Sequence, residues 1–167
     1  MRRATMFMCV ALLVLSSATF GGAQTARSLL LYRFDDEPLN VEKGDYDQSD
    51  NWLRSLSLLV KNTSSKPIYY AEFEVTLKGV RVAGQPAMLK VRFGNEAFAG
   101  KKAANDDDKS IGPSKTVRLK LPTDAYEQLA QQMRAEGLRM PTMAGVRLRR
   151  VGFGDGTYWQ DGHFLTQ

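Results

Sequence analysis

Between Trp52 and Phe153 apolar residues recur at alternate positions in five stretches, each bounded by turn-forming residues. Leu56, Leu58 and Val60 form the first. Ala71, Phe73, Val75 and Leu77 stand against Glu72, Glu74, Thr76 and Lys78 in the second. Leu89, Val91 and Phe93 alternate with Lys90 and Arg92, and Val117, Leu119 and Leu121 with Thr116, Arg118 and Lys120. Val146 and Leu148 alternate with Arg147 and Arg149. Successive side chains of a strand point to opposite faces, so each stretch reads as a strand with one face on a core. The polar cluster at 62–67 joins the first two as an antiparallel pair, and 79–84 and 94–112 read as a break and a loop.

Val151 and Phe153 are out of phase with Val146 and Leu148. One extra residue at Arg149 and Arg150 restores the phase, which predicts a β-bulge there. Asp155-Gly156 predicts a hairpin with a two-residue turn, setting Phe153 against Tyr158 and Trp159 over Gly152. Tyr126, Leu129, Ala130 and Met133 have the spacing of one helical face. They predict a helix over 123–136, capped by Thr123 or Asp124, stopped at Gly137 and lying over one end of the sheets. Residues 28–34 read as a first strand and 35–50 as a polar, acidic loop.

These elements assemble as an all-β, immunoglobulin-like antiparallel β-sandwich of about seven strands with one short crossover helix. Its expected core is Leu56, Leu58, Val60, Phe73, Val75, Leu77, Leu89, Val91, Phe93, Val117, Leu119, Leu121, Val146, Leu148, Val151 and Phe153.

The first 23 residues differ from this pattern. Arg2 and Arg3 precede the apolar run at 6–15 and a small-residue stretch ending at Ala23, the layout of a cleaved signal peptide. The run is short of the roughly 20 residues a membrane-spanning helix needs. The expected organisation is therefore a signal peptide at 1–23, a strand and acidic loop at 24–51, and the sandwich at 52–167, with no membrane-spanning segment after cleavage. Cys9 would leave with the leader, and with it any disulfide or thiol chemistry. What remains has 21 basic and 18 acidic residues, a balance of +3. That is far below the footprint of a nucleic-acid binder.

Candidate chemistry is sparse. His163 is the one histidine, and neither a nucleophile elbow nor a phosphate loop is present. Glu72 and Glu74 share a strand face roughly 7 Å apart, a glycosidase-like spacing, but alternation with Thr76 and Lys78 reads as a solvated outer face. Asp106, Asp107 and Asp108 crowd a loop where calcium ligands could sit, and Asp155, Asp161 and His163 could meet around a divalent ion, the basis of a less favoured metal-assisted hydrolase. Asn62-Thr63-Ser64 matches a glycosylation sequon. Lys90, Arg92, Arg118, Lys120, Arg147 and Arg149 are the most informative set. As outward positions on three strands, they would form one basic face if those strands were neighbours, with Glu72 and Glu74 on another face. Tyr158 and Trp159 offer a sugar-stacking platform.

Residues 60–77 (VKNTSSKPIYYAEFEVTL), with Ile111-Gly112-Pro113-Ser114 before a later strand, resemble bacterial secreted immunoglobulin-like modules of the FxLYD type. There a strand ending in Asn-x-Ser/Thr turns through a Lys-Pro-like pair into the next strand, and an Ile-x-Pro-Gly-like turn opens another. The resemblance implies a non-catalytic, export-associated domain. The expectation is thus a secreted or periplasmic binding or structural module, without cofactor, that docks an anionic envelope component or an acidic protein.

Overall fold

The computed structural model describes residues 26–98 and 109–166. The expected leader and the Asp106 to Asp108 loop lie outside the described residues. Two sheets enclose one core. The larger joins β1 (Ser28–Tyr32), β4 (Ile68–Val82), β5 (Gln85–Gly94), β7 (Met143–Phe153), β8 (Tyr158–Gln160) and β9 (His163–Leu165). The smaller contains β2 (Leu39–Asp45), β3 (Ser57–Asn62) and β6 (Thr116–Lys120), in the order β2-β3-β6. The described residues form an all-β sandwich with one α-helix, α1 (Thr123–Ala135), which carries the chain from β6 in one sheet to β7 in the other.

In the larger sheet β4 is flanked by β5 and β7. The other edge of β7 is shared. β1 runs parallel to its first half, from Met143 to Arg147, and β8 runs antiparallel to its second, from Arg150 to Gly152. All other strand pairings among the described residues are antiparallel.

The expected core is buried except for Phe93 and Val117, which are partly buried against it. Leu39, Val41, Trp52, Leu53, Ile68, Ile111 and Trp159 join it. Leu39 and Val41 correct the reading of 35–50 as a loop, because β2 lies there and pairs with β3. A bulge at Glu42 breaks its alternation, and Gly44 has no side chain because Leu29 of β1 packs against it. Both N-terminal strands are thus integral to the sandwich.

The predicted bulge in β7 is present. Glu72 pairs with Arg150 and Phe73 with Leu148, so Arg149 is the extra residue, and Val151 and Phe153 return to the core. The following turn is one residue longer than expected. Phe153 N–H donates to Thr157 O at 3.0 Å, Gly156 N–H to Phe153 O at 3.3 Å, and Gly156 has φ +81°. This is a three-residue loop, a tight turn followed by a left-handed glycine. Trp159 therefore pairs with Val151 rather than lying over Gly152, and it points into the core, fully buried.

Pro122, not Thr123 or Asp124, occupies the cap of α1 and offers no side-chain acceptor. At the other end Leu138 N–H donates to Met133 O at 2.8 Å and Gly137 N–H to Arg134 O at 3.1 Å. That pair of bonds around a left-handed Gly137 ends the helix where the sequence places its stop. The helix lies along the outer edge of β5 rather than over an end of the sheets. Pro122, Ala125, Leu129 and Gln132 flank Met88, Leu89, Lys90 and Arg92. Glu136 Oε1 accepts the Ala83 N–H at the β4–β5 turn at 3.0 Å.

Before β6, Lys115 N–H donates to Gly112 O at 3.1 Å, closing a turn with Pro113 second and Ser114, at φ +60°, third. The left-handed region costs a residue with a Cβ about 1–2 kcal/mol. Glycine returns roughly 0.5–1 kcal/mol of that as unfolded-chain entropy. Ser114→Gly is therefore expected to stabilise the fold by about 0.5 kcal/mol, read as a higher urea midpoint at unchanged slope.

Candidate functional site: the two outer sheet faces

Strand pairing determines which charges meet. On the outer face of the larger sheet, Lys90, Glu74 and Arg147 lie in one row across β5, β4 and β7, and Arg92, Glu72 and Arg150 in the next. The six basic positions therefore do not form one face. Lys90, Arg92, Arg147 and Arg149 share a face with the glutamates expected elsewhere, because β4 runs between β5 and β7. Arg118 and Lys120 are on β6, in the other sheet.

Nor are the glutamates solvated. Glu72 is 3% exposed and Glu74 9%. Glu72 accepts from Lys90 Nζ at 3.1 Å, Arg92 Nε at 2.8 Å and the buried Tyr70 hydroxyl at 3.0 Å. Burial pushes the Glu72 carboxyl up, but these donors outweigh it and the net shift is downward. Tyr70 is held well above the ordinary phenol value by burial and by the neighbouring Glu72 charge. Arg147 Nη2 donates to Glu74 Oε1 at 3.1 Å, and Arg149 Nε lies 4.0 Å from Glu74 Oε2. Arg149 also pairs with Asp161 at 3.2 Å, and Arg150 with Glu96 at 3.6 Å. Five cations thus surround four carboxylates in a network of ion pairs that leaves the Arg147 Nε and Asp161 Oδ1 atoms without a hydrogen-bond partner.

The outer face of the smaller sheet is different. Lys120, Ser57 and Asp45 form one row, Arg118, Leu59 and Lys43 the next, and Thr116, Lys61 and Asn40 a third. Lys43 and Arg118 both pair with Asp45, Lys43 at 2.7 Å, and hold its carboxyl below the usual range. Lys61 and Lys120 have no ion-pair partner among the described residues. Lys43, Lys61, Arg118 and Lys120 occupy a patch about 10 Å across and about 14 Å along, given strand spacings and rise. Asp45, and Glu42 in the bulge, are the carboxylates of its strands. Lys43 and Lys61 escape a sequence reading that takes 35–50 as a loop and 61 as the end of a strand.

The remaining candidates are accounted for structurally. Trp159 is wholly buried, with Phe34 edge-on at 5.6 Å, so the proposed stacking platform is core and Tyr158 beside it is half-buried. Asn62 is also wholly buried. Its amide donates to Lys66 O at 2.9 Å and Ile111 O at 2.8 Å, and its Oδ1 accepts from Ser64 N–H at 2.9 Å. The sequon is thus a corner post joining the β3–β4 turn to the segment before β6, closed to a glycosyltransferase in the folded chain. Asp155 pairs with Lys66 and Thr157, whose donors bring its carboxyl down to about 2, while Asp161 pairs with Arg149. Among the described residues no three of His, Cys, Asp and Glu gather as a metal site, so Asp155, Asp161 and His163 do not meet around an ion. No helix among them is long and apolar enough to cross a membrane. No protein-family model, curated protein or solved structure matches this chain.

Proposed function

We propose that this is a non-catalytic binding module of the cell envelope, secreted or periplasmic, that docks on an anionic surface through the outer face of its three-stranded sheet. The observation that carries it is the co-facial set Lys43, Lys61, Arg118 and Lys120, two of them without a carboxylate partner. A flat sheet face presents these charges together, and closely spaced like charges attract an anionic surface collectively. The larger sheet contributes less, since Lys90, Arg92, Arg147, Arg149 and Arg150 are paired with Glu72, Glu74, Glu96 and Asp161. The leader-like residues 1–23 and the export-module resemblance of 60–77 support the envelope assignment.

Cosedimentation with phosphatidylglycerol vesicles tests it, with phosphatidylcholine vesicles as the neutral reference. Binding is expected to the anionic vesicles alone and to vanish on raising the salt about tenfold, which shortens the screening length about threefold. A basic side chain near such a surface contributes about 1 kcal/mol, so reversing two with Lys61→Glu and Lys120→Glu should weaken binding at least roughly thirtyfold. Salt-insensitive binding, or full binding by the double variant, would remove this face from the function.

A further inference from the structure

A cleft of about 670 Å³ lies on the other side of α1 from β5. Its floor is the edge of the core: Tyr126 and Met133 are buried there, and Leu138 and Met140 are partly buried against them. Its charged lining is Arg27, Asp50, Arg134 and Arg139. Arg27 is committed, donating to Asp50 and, through Nε, to Ser49 O at 3.3 Å. Arg134 and Arg139 have no carboxylate partner among the described residues, and both are exposed. The walls are braced: Tyr126 OH donates to Asn51 Oδ1 at 3.0 Å, and Trp52 Nε1 to Pro141 O at 2.8 Å.

An apolar floor beside two arginines without a carboxylate partner is complementary to a small molecule with an anionic head and an apolar body. We infer that the cleft binds a small amphipathic carboxylate, its head between Arg134 and Arg139 and its apolar body on Leu138, Met140 and Met133. The volume falls within the roughly 300–1,000 Å³ of small-ligand sites. Guanidinium groups suit the head because their planar donors can meet both oxygens of a carboxylate. The body gains by covering Leu138 and Met140, which the fold leaves partly in water. This site is separate from the basic sheet face, and the two stand or fall independently.

Calorimetric titration of the whole protein with sodium octanoate, acetate and octanol decides it. Octanoate should bind saturably at one site, with acetate and octanol each at least roughly tenfold weaker, since one lacks the body and the other the charge. From hexanoate to octanoate to decanoate, each buried methylene should tighten binding about fourfold. Arg134→Gln with Arg139→Gln should abolish the preference for octanoate over octanol. Arg139→Gln alone, beyond the helix, should weaken octanoate even if the double variant loosens the helix end. Lys61→Glu with Lys120→Glu should leave octanoate affinity unchanged. Absence of saturable octanoate binding, equal affinity for octanol, or full affinity in the arginine variants would overturn the inference.

Discussion

Asn62→Asp is expected to lower stability by about 4 kcal/mol, because two carbonyls each lose one of their two donors, at about 1 kcal/mol each, and a carboxylate is then buried against them at about 2 kcal/mol more. The carbonyls are those of Lys66 and Ile111, the latter in a segment whose backbone also bonds Ile68 in both directions. Asn62→Ala removes the same donors, and with them the Oδ1 that accepts from Ser64, without adding a charge, and should cost about 3 kcal/mol. A buried carboxyl facing carbonyl oxygens titrates above its unfolded value, so the aspartate variant should regain stability as the pH falls, when the neutral acid can donate to one carbonyl. The alanine variant should not. Urea midpoints for both variants at neutral and acid pH provide the check, and an aspartate variant as stable as the native protein would refute the corner-post role.

Glu72→Ala should cost about 2–3 kcal/mol, toward the low end of the cost of breaking a buried ion pair. Its partners explain the discount: Lys90 and Arg92 are 42% and 46% exposed and can return to water, whereas the buried Tyr70 hydroxyl is orphaned. The same cluster shapes the pH dependence. The Glu72 carboxyl titrates below its ordinary 4.5 in the folded state, so its contribution is present above that value and is lost as the pH falls through the folded value. Tyr70 titrates above its ordinary 10.0, so its contribution is present below that value and fades as the pH rises beyond it. Stability should therefore fall on both sides of a neutral plateau. Glu72→Ala should make both limbs shallower, since it removes one titrating group and the charge that raises the other. Thermal midpoints across the pH range read this directly; an unchanged acid limb would show that Glu72 does not carry it.

What the sequence discloses is what strands imprint locally. Alternation marks which side chains of β3, β4, β5, β6 and β7 turn inward, and the slip between Leu148 and Val151 reveals the bulge at Arg149, because an extra residue must shift the phase. β2 is hidden for the converse reason: Glu42 in its bulge and Gly44 under Leu29 erase the pattern. Adjacency is not local. Glu72 and Arg92 are 20 residues apart, and nothing in either stretch announces that β4 lies between β5 and β7, so the charges appear as separate faces until pairing is known. One residue of turn length decides whether Trp159 meets water or core. Asn62 resembles a surface sequon because the carbonyls that hold it include one 49 residues away.

The position of α1 beside β5 has a consequence for how this protein fails. β5 spans Gln85–Gly94, and among the described residues its one strand partner is β4. A strand with one side unpaired is a template for another chain's backbone, and a helix laid against it is one way of blocking that template. Fraying α1 removes the guard before the sheets themselves have opened. Self-association through β5 then becomes available to molecules whose sheets are still paired.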